Sequence, residues 1–131
     1  MYYFAYGTNL NKKQMRSRLP QSQPLRQANL PNYKLVFTGW SRQWRGGSAT
    51  IKLSRGDRVA GAVYEIAEKD LGRLDSYEGR DYNRMNVTVF SDDGDAIPVF
   101  TYIKAGRLDE THPSKEYLSV IQQGYKDWGI I

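Results

Sequence analysis

Apolar and polar positions along the chain alternate mostly in short runs, and helical spacing is found in three places. Tyr2 to Tyr6 is a run of aromatic and small residues, the pattern of a buried strand, and Gly7-Thr8-Asn9 breaks it. Asn11 followed by Gln14 forms a capping pair, and Leu10, Met15 and Leu19 make an apolar stripe ahead of Pro20, which predicts a short helix. Gln21 to Pro31 is polar and punctuated by Pro24 and Pro31, so it reads as irregular with a short strand at Leu25 to Leu30. Tyr33 to Phe37 alternates as a strand, and Gly39 to Gly47 reads as a loop. Ala49 to Leu53 and Val59 to Ile66, on either side of Ser54-Arg55-Gly56-Asp57-Arg58, predict a hairpin. A helix follows from Ala67 to about Tyr77, closed by Gly79. Met85 to Phe90 and Ile97 to Lys104 predict a second hairpin around Asp92-Asp93-Gly94, and Ser114 caps a last helix to about Gln123. Strands interrupted by three helices, without regular βαβ alternation, indicate an α+β fold and not a doubly wound sheet.

A length of 131 residues fits a single domain spanning residues 1–131. The chain has no cysteine, and its one histidine, His112, lies in a Thr-His-Pro stretch. Disulfides, thiolate catalysis and cysteine-based metal sites are excluded, and a serine triad has no suitably placed base. Neither a metal nor a cofactor is expected. The net charge of +5 comes from scattered residues with no block of like charges, so it suits a small anionic substrate better than a nucleic acid. Ten Tyr, four Phe and three Trp favour strands and a pocket with polar lips. The first residues lack a basic leader and no apolar run approaches ~18 residues, which predicts a cytoplasmic protein with no membrane association.

Three segments could carry chemistry. In Tyr6-Gly7-Thr8-Asn9-Leu10, a glycine turn ahead of a helix points the amides of Gly7, Thr8 and Asn9 outward, where amides bind anions, and Thr8 and Asn9 add side-chain donors. In Leu71-x-x-Leu74-Asp75-x-x-Glu78-Gly79, helical geometry puts Glu78 about 20° from Leu71, aimed at the core. Burial there raises a carboxyl toward the range of a general base at neutral pH, unless a partner such as Arg84 neutralises it. Asp75 falls on the other side of Leu71 and reads as a rim residue. In Pro113-Ser114-x-x-Tyr117, with Ile121 and Gly124, Tyr117 shares a face with Ile121 and can pack its ring while sending its hydroxyl into a pocket.

Taken in order, these segments resemble the γ-glutamylcyclotransferase (AIG2-like) family over nearly the whole chain. Tyr3-Phe4-Ala5-Tyr6-Gly7-Thr8-Asn9-Leu10 is similar to its N-terminal signature, followed by Met15 and Arg18-x-Pro20. Pro31-x-Tyr33-x-Leu35-x-Phe37, Gly46-Gly47-Ser48-Ala49-Thr50-Ile51, Gly56-Asp57-x-Val59-x-Gly61-x-Val63-Tyr64 and Leu74-Asp75-x-x-Glu78-Gly79-x-x-Tyr82 also fit. The resemblance implies a mixed, barrel-like β core flanked by about three helices, with a cavity at one end. It implies that Glu78 is the catalytic acid/base, that Tyr3, Phe4, Ala5, Tyr6, Gly7, Thr8 and Asn9 form the substrate-binding segment, and that Tyr117 contacts the substrate. Two departures stand out: Thr8 replaces the usual serine, and the chain stops at Ile131, soon after the last helix, which bears on pocket closure and substrate size.

The implied reaction suits the residue inventory. The α-amine of a γ-glutamyl compound attacks its own γ-carbonyl, giving 5-oxoproline and a free amino acid or amine, with no enzyme nucleophile, metal or cofactor. A monomer or homodimer acting on a small γ-glutamyl substrate is expected. The alternatives are a γ-glutamylamine cyclotransferase of the same fold and a non-catalytic module that binds a small anion.

Overall fold

The structure is a computed structural model that describes residues 1–106 and 109–131. Among these residues the strands are β1 (Tyr2–Ala5), β2 (Gln23–Ser41), β3 (Gly46–Glu65), β4 (Tyr82–Phe90) and β5 (Ala96–Lys104). The helices are α1 (Lys12–Arg18), α2 (Leu71–Glu78) and α3 (Lys115–Asp127), with single 3-10 turns at Thr8–Leu10 and Glu68–Asp70. The strands close a barrel in the order β1-β3-β2-β4-β5, and β1 completes the ring by pairing antiparallel with β3 and parallel with β5. This is the expected α+β architecture. No helix among the described residues is long and apolar enough to cross a membrane.

The period-2 alternation of β1 sorts its side chains into two clusters. Phe4 and, just beyond the strand, Tyr6 join Leu30, Ile51, Val63 and Val89 in one cluster, to which α3 adds Tyr117 and Ile121. Tyr3 and Ala5 face the other way, against Leu10, Met15, Leu19 and Leu74 of the helical layer. Leu74 and Met15 are fully buried, so α1 and α2 are held by the same apolar layer that backs β1.

The long hairpin β2–β3 corrects three sequence expectations. Gln21 to Pro31 is not irregular, since β2 runs unbroken from Gln23 through Pro31. Pro31 is accommodated because the register shifts between Pro31 and Tyr33, where a missing N–H costs least. Ala49 to Leu53 and Val59 to Ile66 are not the two arms of a hairpin; both lie along β3, which ends at Glu65, and pair with β2, Leu35 opposite Ile51 and Leu30 opposite Val59. The Ser54–Arg58 stretch is a bend across both strands, with Gly56 at φ 87 donating its amide to the Asn32 side chain at 3.2 Å and Asn32 itself at φ 67. The turn chemistry was real, but it bends two paired strands and reverses neither. The loop expected from Gly39 to Gly47 shrinks to residues 42–45, because β2 reaches Ser41 and β3 begins at Gly46.

The helix caps follow the sequence. Asn11 accepts the Gln14 amide at 3.0 Å and Ser114 accepts the Tyr117 amide at 3.2 Å, contacts each worth about 1 kcal/mol. Helix α3 passes Gln123 and continues to Asp127, because Gly124 lies against the turn after β1. A Cβ on Gly124 would stand 2.6 Å from Leu10 Cβ and 2.7 Å from the Asn11 nitrogen.

Candidate active site

Glu78 is the last residue of α2, followed by Gly79 at φ 92, which ends the helix. The residue as a whole is half-buried, and its carboxyl end lines a small cavity of about 30 Å³ together with Tyr3, Tyr6, Thr8, Tyr82 and Tyr117. Burial pushes the Glu78 carboxyl up to about 7; the charge of Asp75 adds to the rise and that of Arg18 opposes it. Arg84 does not neutralise Glu78, since its Nε lies 3.2 Å from Asp75 Oδ1. Asp75 also accepts the Tyr102 hydroxyl at 2.6 Å and does not line the cavity.

Glu78 is surrounded by phenols. Tyr3, Tyr6, Tyr82, Tyr102 and Tyr117 are all shifted upward, first by burial, and in each the Glu78 charge contributes to the rise. Tyr117 is pushed up to about 12, so these hydroxyls remain neutral donors at physiological pH. Their protons go to different places. Tyr6 donates to the Tyr102 carbonyl, Tyr82 to the Ala49 carbonyl, and Tyr102 to Asp75. Tyr3 accepts from Asn9 Nδ2 at 3.0 Å, and Tyr117 accepts from the Ala49 amide at 2.7 Å. Those two hydroxyls therefore each keep a proton to offer toward the cavity. The Tyr117 ring is fixed edge-on by Trp44 and Phe37, at centroid distances of 5.2 and 6.1 Å.

The turn after β1 supplies the opposite wall. Gly7 makes it at φ −114, ψ −135, without a positive φ. Because Thr8–Leu10 is a 3-10 turn, its first amides have no partner within the turn, and the Thr8 and Asn9 amides make no backbone bond among the described residues. Thr8 lines the cavity. The Asn9 side chain, expected to donate to a ligand, is already engaged within the protein. Its Nδ2 bonds Tyr3, and its Oδ1 accepts from Arg18 Nη1 at 3.0 Å and Gln14 Nε2 at 3.3 Å. It clamps the turn and leaves the backbone and Thr8 to face the cavity.

Of the candidates read from the sequence, Glu78, Tyr3, Tyr6, Gly7, Thr8, Asn9 and Tyr117 come together around this cavity. Phe4 and Ala5 do not. Both are fully buried on opposite sides of β1, where they hold the strand against the two apolar clusters. Four residues had no assigned role: Tyr82, Ala49, Arg18 and Lys104. Tyr82, Arg18 and Ala49 lie within the family-like segments, and only the fold reveals that they converge. Outside the small cavity a vestibule of about 590 Å³ opens, sharing Thr8, Glu78, Tyr82 and Tyr117 with it and lined also by Arg18 and Lys104. Arg18 lies 5.1 Å over the Tyr77 ring, so the cation that moderates Glu78 is held in place from both sides.

An enclosed carboxyl near neutrality, ringed by neutral donors and faced by free amides, can move protons and hold an oxyanion without a metal. Comparison with known proteins points the same way. A family model described as gamma-glutamyl cyclotransferase, AIG2-like matches residues 3–128. Proteins named gamma-glutamylcyclotransferase from Bos taurus and Homo sapiens are 35% and 33% identical to this chain over 98% of its length and 71% of theirs. A solved structure titled gamma-glutamyl cyclotransferase superposes with a TM-score of 0.95 at 32% identity, covering 99% of this chain and 80% of that one. With the fold, the ordered motifs and these matches in agreement, the chain belongs to the gamma-glutamyl cyclotransferase, AIG2-like family.

Proposed function

We propose that this protein is a γ-glutamylcyclotransferase that converts γ-glutamyl amino acids or peptides to 5-oxoproline and the free amino acid or amine. The observation that carries the reading is Glu78, a carboxyl held near neutrality and free of any ion pair among the described residues. Family membership and the names of the matched relatives support it.

In the reaction the substrate's α-nitrogen bonds to its own γ-carbonyl carbon, and the amide C–N bond to the leaving group breaks. The attacking nitrogen gives up two protons as it passes from ammonium to lactam. The leaving nitrogen, passing from amide to ammonium, gains two. Glu78 carries them in turn and ends ionised as it began, so one carboxylate serves as base and then as acid. The negative charge that develops on the carbonyl oxygen, and the substrate's α-carboxylate, call for donors. The free amides of the Gly7–Asn9 turn, the Thr8 hydroxyl and the protons of Tyr3 and Tyr117 supply them. The small cavity opens beside Glu78 and these donors, so a γ-glutamyl head held folded against it gains part of the ~7–11 kcal/mol available from orientation.

The test is 5-oxoproline release from γ-glutamyl-alanine, ε-(γ-glutamyl)-lysine and glutathione by the wild type and Glu78→Gln side by side. The wild type should form product from at least one of them and the variant from none. A wild type inert on all three sinks the proposal.

A further inference from the structure

Lys104, the last residue of β5, is a buried cation with no assigned part in the chemistry above. Its ammonium donates to the Thr38 carbonyl at 2.8 Å, to Thr38 Oγ1 at 3.0 Å and, over a long 3.4 Å, to the Ser48 carbonyl. All three acceptors are neutral. No ion pair among the described residues involves it. Burial disfavours its charged form, opposed in part by the charge of Asp81 in the same vestibule, and an anion arriving from solvent offsets the hydration it has lost.

Its position fixes which anion. Lys104 lines the vestibule with Glu78 and lies 5.6 Å from the centre of the Tyr82 ring. The Tyr82 hydroxyl in turn bonds Ser48 Oγ and the Ala49 carbonyl at the mouth of the small cavity. Lys104 lines the vestibule and not the small cavity, so with the γ-glutamyl carbonyl turned to Glu78 and the small cavity the ammonium lies on the side where the rest of the substrate extends. In a γ-glutamyl amide that part is the leaving group. Its nearest anionic group, in a γ-glutamyl amino acid, is the α-carboxylate one carbon from the scissile nitrogen.

We infer that Lys104 is a specificity residue that receives the α-carboxylate of the leaving amino acid, exchanging its long contact with the Ser48 carbonyl for an ion pair. This rests on the proposed cyclisation and adds to it the basis on which amino-acid leaving groups are preferred over uncharged amines. Lysine keeps the Thr38 contacts in the complex, so the charge is delivered at a fixed height on β5 and does not swing on a free stem. Fixing both ends of the substrate, the head in the small cavity and the carboxylate at Lys104, also sets the direction in which the leaving nitrogen meets Glu78.

The experiment compares γ-glutamyl-alanine with γ-glutamyl-alaninamide, which differ only in the leaving group's charge and share the γ-glutamyl head. The wild type should favour the acid by at least ~10-fold in kcat/KM, chiefly through KM, as expected for a charge-assisted contact. In Lys104→Met that ratio should fall to near one, and in Lys104→Arg it should be largely kept. Equal wild-type efficiency on the two compounds overturns the inference, and this measurement needs no variant to fold. Loss of both activities in the same proportion in Lys104→Met, with the ratio preserved, also overturns it, because that is the signature of a structural lysine or of one reading the γ-glutamyl head. If neither compound yields 5-oxoproline with the wild type, the cyclisation reading itself has failed, an outcome distinct from turnover without preference.

Discussion

The hydroxyl of Tyr117 accepts the backbone amide of Ala49 at 2.7 Å, so one bond ties α3 to β3 at the cavity wall. The same atom has a proton left to donate. Tyr117→Phe leaves a buried amide unpaired and should cost about 1–3 kcal/mol of stability. It should also lower kcat by about 100-fold if the hydroxyl stabilises the developing oxyanion. Denaturant melts read the first effect and steady-state turnover the second. Normal turnover in a destabilised variant would confine Tyr117 to a structural part.

The Glu78 carboxyl, pushed up to about 7, must be ionised to accept a proton. The acidic limb of kcat/KM should therefore rise through a midpoint near 7, well above the range of an ordinary carboxyl. Glu78→Gln should remove this limb together with at least ~1,000-fold of the rate. A limb centred near 4.5 would mean that Glu78 is not enclosed during turnover.

The same shift has an opposite sign for stability. A carboxyl whose folded value is raised favours the folded state fully at pH below 4.5, and that contribution is lost as pH rises through about 7. At pH 8 the ionised Glu78 costs on the order of 2 kcal/mol after its partial exposure is discounted. Glu78→Gln should then melt about 5–10 °C above the wild type at pH 8, with the gap closing by pH 5. Calorimetric scans at both pH values check this. An inactive but more stable variant would separate loss of chemistry from loss of fold.

Gly124→Ala places a methyl group within 2.7 Å of Leu10 and Asn11, which belong to the packed turn after β1. Neither backbone nor core can yield cheaply there, and about 2–4 kcal/mol of destabilisation is expected. Because that turn carries Thr8 and the free amides, KM should rise in the fraction that remains folded. A melt unchanged within 1 °C would mean that α3 moves freely over the turn.

The fold was legible in the sequence wherever a local signal determines the structure. Asn11 and Ser114 cap the helices they announce, and Asp92-Asp93-Gly94 turns the β4–β5 hairpin. It was illegible where a local signal has two geometric solutions. Gly56 between two apolar runs can reverse a strand or bend it, and the partners that go with the bend, β2 and the Asn32 side chain 24 residues away, are distant in the sequence. Glu78 was readable because its helical angle relative to Leu71 fixes its face. Lys104 was not, since a lysine ending a strand looks solvated until β2 and the start of β3 are seen to close over it. Asn9 was readable as a turn residue, but its three partners, two of them on α1, decide that its side chain holds the turn and does not offer a free donor.

The placement of β1 between β3 and β5 also dictates an order of assembly. The second neighbour of β1 does not exist until residues 96–104 have been made, and Tyr117 arrives later still. The Gly7–Asn9 turn thus precedes in the chain every element that completes its surroundings. A chain cut before α3 lacks Tyr117 and its bond to Ala49, and with them one wall of the cavity.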